Sequence, residues 1–139
     1  MLVEIQVNVT TRKVYALDEQ YRVMAEFPVS TAYYAGFNEN GEPYGNAPAG
    51  VYNDENVWAE AKGQFADEPA YGWAYLNIDS RGRAIHGGGS NLYDPYEPFQ
   101  QLTPTLGCFR MHNADIFYLV QLFMDAEGKG RKPCVHVVE

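Results

Sequence analysis

Residues 84–115 read AIHGGGSNLYDPYEPFQQLTPTLGCFRMHNAD, and they hold one of the two cysteines and two of the three histidines in the chain. The order is a short strand ending at His86, a long loop, a thiol turn at Gly107-Cys108, then a helix expected from Asn113. A reactive thiol needs thiolate character and access. A nearby imidazole, a guanidinium such as Arg110 and the positive end of a helix each favour the thiolate, and a flanking glycine keeps the approach open. His86 lies 22 positions before Cys108. A strand ending in His and followed by Gly87-Gly88-Gly89 would set the ring at a cleft floor, as the base that a thiol nucleophile needs. Backbone N–H groups at Gly107 and Cys108 would serve a developing oxyanion. The segment reads as a thiol active site, with the rest of the chain as its scaffold.

Working outward, the helix spans Asn113 to Ala126, with Asn113 as N-cap and Asp115 in its first turn. Ile116, Leu119, Val120 and Phe123 form its apolar stripe, and Gly128 and Gly130 end it. Pro133 to Val138 is a closing strand. Upstream, Gly72 to Ile78 is a strand joined to Arg83–His86 by a hairpin turn at Asp79-Ser80-Arg81-Gly82. At the start of the chain, Leu2–Val9 alternates Val3, Ile5, Val7 and Val9 against Glu4, Gln6 and Asn8, the pattern of a half-buried strand. Val14–Leu17 and Tyr21–Val29 continue it as an antiparallel meander. Ser30 to Asn53 is a long irregular segment rich in Gly, Pro and Tyr, whose end at Ala47–Tyr52 turns into another strand. Val57 to Asp67 is ambiguous: Ala59, Glu60, Ala61 and Lys62 permit a short helix, which Gly63 interrupts. Asn91 to Pro104 is a second loop, carrying Tyr93, Tyr96 and Phe99.

The chain has 139 residues, enough for one domain, taken here as 1–139, with a real core. Its formal net charge of -8 argues against a nucleic-acid partner, because a polyanion is repelled. No apolar run reaches membrane-spanning length, and the first residues lack the pattern of a signal peptide, so an export route is open. Cys108 and Cys134 are able to form one disulfide only if the fold brings them together. No CxxC or HxxxH pair is present, so no metal and no cofactor is expected.

IHGGG followed by TLGCFRMHNAD resembles the L,D-transpeptidase (YkuD-type) catalytic domain, marked by His-Gly and then Ser/Thr-x-Gly-Cys-x-Arg/Asn before a short helix. The opening strands, FPVSTA and APAGVY look like further parts of that domain. The resemblance implies a mainly β (α+β), β-sandwich-like fold with mixed sheets and one main helix after the Cys motif. It implies Cys108 as nucleophile and His86 as base. Gly107, with Gly87 beside the base, would shape the oxyanion and substrate site, and Thr105 and Arg110 would take the motif's framing positions. The substrate class would be peptidoglycan stem peptides, acted on at the cell wall or periplasm. The chain departs from the pattern at Leu106, where members often carry a second histidine. It also has Ala47-Pro48-Ala49-Gly50 for the usual Thr-Pro-x-Gly, and a long interval between His86 and Cys108. That aromatic loop reads as a lid or a substrate wall.

Other readings stay open at this level. The same site would serve hydrolysis, as a carboxypeptidase or a cell-wall toxin, or the fold would survive as a non-catalytic peptidoglycan-binding module. A papain-like or NlpC-type peptidase ranks last, because those place the nucleophile before the base. His112 reads as a surface residue beside the helix start, and Cys134 and His136 share one face of the last strand.

Overall fold

A computed structural model describes residues 1–32, 37, 39–42 and 45–139 of the chain. The tyrosines at 33, 34 and 44, in the irregular segment noted above, lie outside the described residues.

Three short strands open the fold: β1 (Glu4–Asn8), β2 (Lys13–Leu17) and β3 (Val23–Pro28). They pair antiparallel in sequence, so the expected meander is present. In β1, Ile5 and Val7 point inward and Glu4, Gln6 and Asn8 outward, as their alternation requires. After β4 (Gly50–Tyr52) the chain forms β5 (Trp58–Ala61), a 3-10 turn at Gly63–Phe65, β6 (Ala74–Asn77), β7 (Ala84–His86) and β8 (Phe109–Arg110). Helix α1 (Asn113–Gly128) and β9 (Cys134–Val138) complete it.

The strands form two mixed sheets. The first has the order β3-β2-β1-β9-β4, with β9 inserted parallel to β1 and antiparallel to β4. The second has the order β5-β6-β7-β8, antiparallel except for β7 and β8. Helix α1 packs across β5, β6 and β7. One core joins the inner faces of both sheets to the helix, through Ile5, Val137, Leu76, Ile85, Phe109 and Phe123 among others.

Two expectations are corrected. Residues 59–62 form no helix: Ala59 and Ala61 belong to β5, paired with Leu76 and Ala74. Their helix propensity, a few tenths of a kcal/mol per residue, is outweighed by pairing along β6 and by packing of Ala59 and Ala61 on the core. The second correction concerns the helix start. His112, not Asn113, is the N-cap, in extended backbone and without a side-chain capping bond. Asn113 is fully buried, and its side chain is committed elsewhere. The short strand β8, directly after Cys108, has no counterpart in the sequence reading; two residues carry no period to detect.

Candidate active site

Strand register decides which side chains meet. In the second sheet Ile85 faces Phe109 and His86 faces Arg110 across parallel β7 and β8. Ile85 and Phe109 enter the core, so alternation turns His86 and Arg110, with Cys108 at the strand's entry, to the opposite face. His86 and Cys108 line one cavity of about 330 Å³, together with Tyr71, Ser90, Thr105 and Arg110. Cys108 and Gly107 also line a second cavity of about 610 Å³, walled by Ser80, Arg81 and Arg83. Leu106 borders both cavities, and at 52% exposure it stands as a ridge between them.

The turn that carries the thiol is tied down locally. The Thr105 hydroxyl donates to the Cys108 carbonyl, closing the loop over Leu106 and Gly107. Thr105 N–H donates to the Thr31 carbonyl at 3.5 Å, linking this turn to the segment after β3. A side chain at Gly107 would press on the Gly45 carbonyl at 3.1 Å, so glycine there lets two backbones approach. Arg110 donates from Nη1 to the Thr103 carbonyl at 3.0 Å and to the Thr103 hydroxyl, while its buried Nε has no hydrogen-bond partner. Arg110 also exchanges backbone bonds with Ser30, which anchors β8 on its outer side.

His86 is buried, and its Nδ1 lies 2.8 Å from the Gly87 carbonyl. A carbonyl only accepts, so Nδ1 carries the proton and Nε2 keeps the lone pair a base needs. Burial lowers the His86 pKa to about 4, with the Arg110 charge adding to the effect and the Gly87 bond opposing it. The ring is therefore neutral at pH 7. Burial likewise raises the Cys108 thiol above its ordinary value; a backbone bond from Ala84 and the charges of Arg110 and Arg83 oppose this, and Asp79 adds to it. Both shifts favour the uncharged form, the thiol on Cys108 and the neutral imidazole on His86. Burial therefore works against the thiolate that a guanidinium and a helix start would favour. The first helix amides are consumed by the preceding loop: Asn113 N–H donates to Gln100 Oε1 at 2.8 Å and Ala114 N–H to the Pro98 carbonyl at 2.9 Å.

That loop, Asn91 to Pro104, is pinned at several points. Asn113 Nδ2 donates to the carbonyls of Pro95 and Glu97 at 2.8 and 2.7 Å, and Trp73 Nε1 to that of Tyr96 at 2.9 Å. Gln100, buried, donates to the Gly88 and Met111 carbonyls at 3.1 and 2.9 Å. Asn113 Oδ1 accepts from Gly88 and Trp73 amides at 3.0 and 3.2 Å, joining helix, loop and the glycines after His86 into one network. Gly87 is bound to it by contact: a Cβ there would lie 2.2 Å from Asn113 Oδ1. Gln100 and Asn113 carry no sequence signal for this role, since a polar residue in a loop or at a helix start is ordinary. Tyr71 likewise carries no sequence signal that sets it beside His86; the two rings meet edge-on at 5.1 Å.

The remaining sequence candidates lie apart. His112 is half-buried, with Nδ1 2.9 Å from the Gln100 carbonyl, and Phe99 packs on its ring. Cys134 and His136 stand on β9 in the first sheet beside Glu4, and both cysteines are free thiols. Among the described residues no helix is long and apolar enough to cross a membrane.

The profile of the L,D-transpeptidase catalytic domain (YkuD) matches residues 3–132. The chain belongs to that family. Among solved structures, an L,D-transpeptidase from Xylanimonas cellulosilytica superimposes with a TM-score of 0.60 at 17% identity, over 97% of this chain and 59% of that one. One from Stackebrandtia nassauensis gives 0.59 at 13% identity, over 100% of this chain and 56% of that one. One from Enterococcus faecium gives 0.55 at 14%, over 99% and 50%. These likenesses establish the fold: the L,D-transpeptidase domain spans 50–59% of the length of those chains. No curated protein matches it.

Proposed function

We propose that this L,D-transpeptidase domain transfers acyl groups on peptidoglycan stem peptides through a thioester at Cys108, with the cell wall as its site of action. The observation that carries the reading is the position of Cys108 at the seam of two cavities, with His86 in the wall of one. A thiol reached from two sides suits a reaction with two successive partners.

In the first half, Nε2 of His86 takes the Cys108 proton as sulfur attacks the carbonyl at the L-centre of the third stem residue. The C–S bond forms, the C–N bond to the terminal D-residue breaks, and the proton passes to the departing amine. In the second half an acceptor amine attacks the thioester carbonyl. The C–N bond forms, the C–S bond breaks, the amine proton goes to His86 and then to the leaving sulfur. Water in place of the amine gives hydrolysis. The amides of Gly107 and Cys108 are the oxyanion donors in this scheme, and Thr105 and Arg110 are positioning residues: Thr105 holds the turn, and Arg110 supplies positive charge beside the sulfur.

Intact mass after exposure to a carbapenem tests the reading. One covalent adduct is expected on the wild type and none on Cys108→Ala; a wild type without adduct leaves a binding module. Incubation with tetrapeptide muropeptides then separates the outcomes, since cross-linked dimers report transfer and tripeptides alone report hydrolysis.

A further inference from the structure

The outer face of the second sheet carries a cross-strand row of which the catalytic scheme uses only His86 and Arg110. Glu60 of β5 faces Tyr75 of β6, Tyr75 faces His86 of β7, and His86 faces Arg110 of β8. Strands stand about 4.8 Å apart, so Glu60 lies roughly 10 Å along the sheet from His86. Aromatic rings fill the interval. Trp58 meets Tyr75 at 5.2 Å with the planes at 74°, and Tyr75 meets Tyr71 at 5.8 Å. Tyr71 meets His86 at 5.1 Å and 77°, and its carbonyl accepts from Gly87 N–H at 2.9 Å, so it is fixed to the His86 segment.

We propose that Glu60, Tyr75, Tyr71 and Trp58 form an ammonium-binding corner through which an amine-bearing acceptor approaches the thioester from the His86 side; this rests on the acyl-transfer reading above. Three features select an ammonium. The steep angles at Trp58–Tyr75 and Tyr71–His86 make corners instead of the flat shelf that stacking on a sugar face requires, and ring faces in such a corner attract a cation. A carboxylate sits at the corner's outer end, where the Tyr75 hydroxyl donates to Glu60 Oε2 at 3.0 Å. Lys62, two residues on, forms its ion pair with Asp67 at 2.8 Å and not with Glu60, while its charge still reaches Glu60 and Tyr75. The corner is also open, with Trp58 42% and Tyr71 45% exposed, and it is continuous with the reaction cavity because Tyr71 lines that cavity beside Cys108.

The test follows the Trp58 indole N–H signal, assigned with Trp58→Phe, during titration with Nα-acetyl-lysine amide, whose side chain is the ammonium probe. The Nε-acetylated compound is the neutral control. The expected result is a saturable shift for the ammonium only, weakened roughly threefold to tenfold in Glu60→Gln and by added salt. With a donor tetrapeptide present, Glu60→Gln should lower the ratio of transfer to hydrolysis by a similar factor. Equal binding of charged and neutral probes, or binding unchanged in Glu60→Gln, overturns the proposal. The carbapenem adduct, measured on the same protein, separates the two ideas. An adduct without ammonium binding retains acyl transfer and sinks the corner. Ammonium binding without an adduct overturns its assignment to an acceptor.

Discussion

Burial acts on both groups, raising the Cys108 thiol and lowering the His86 imidazolium, and so favours the uncharged form of each. Alkylation of Cys108 by iodoacetamide, measured in Cys134→Ala protein, should therefore show its half-rate above the ordinary thiol pKa of about 8.5. A plateau reached near neutral pH would mean a preformed ion pair. His86 also links protonation to stability. Its pKa is about 4 folded against 6.5 free, so the unfolded chain takes up a proton that the folded one refuses. The stabilisation is complete above pH 6.5 and is lost as pH falls from there towards 4, by up to about 3 kcal/mol. Urea midpoints across that range should drop more steeply for the wild type than for His86→Gln. Cys108 and His86 stand out in the sequence because few residue types suit thiol chemistry. The preference of each for its uncharged form is not legible there, because it depends on what covers the two groups.

At the scale of elements, the glycines after β7, the loop before the thiol turn and helix α1 are coupled through Asn113. The apolar stripe of the helix was plain in the sequence, and Ile116, Leu119, Val120 and Phe123 are all buried. Asn113 was misread because an asparagine at a helix start has an ordinary local use, whereas here its partners are 16 to 40 residues away. Gly87→Ala should break this coupling. The new methyl carbon would sit 2.2 Å from Asn113 Oδ1, forcing that oxygen off the Gly88 and Trp73 amides. Leaving one or two buried amides unsatisfied costs about 2–5 kcal/mol. Gly128→Ala, with nothing within 4 Å of its added carbon, should instead be neutral or gain up to about 1 kcal/mol. Thermal melts of both variants check the contrast; similar losses would remove Asn113 from the account.

For the whole molecule, the last strand holds the first sheet together. β9 lies between β1 and β4, and Val135 and Val137 are buried in the shared core. Removing residues 133–139 would strip β4 of its partner, leave β1 paired with β2 alone and delete these two buried valines, each worth about 1.5–3 kcal/mol before any lost ladder bond. That exceeds a large share of ordinary domain stability. The truncated chain should lose its cooperative unfolding transition by circular dichroism, while a retained transition would show that the meander and second sheet suffice.

The sequence by itself determined the alternating strands, the amphipathic helix, the hairpin at Asp79–Gly82 and the two residues fit for thiol chemistry. Each is a local signal, carried by a period, a turn or a reactive side chain. Only the tertiary structure decided that residues 59–62 join a sheet, that β9 enters between β1 and β4, and that the loop before Cys108 is pinned by Gln100 and Asn113. It also decided that Glu60, Tyr75, His86 and Arg110 fall in one row. These depend on register between segments distant in sequence, and register is set by burying one face of every strand at once.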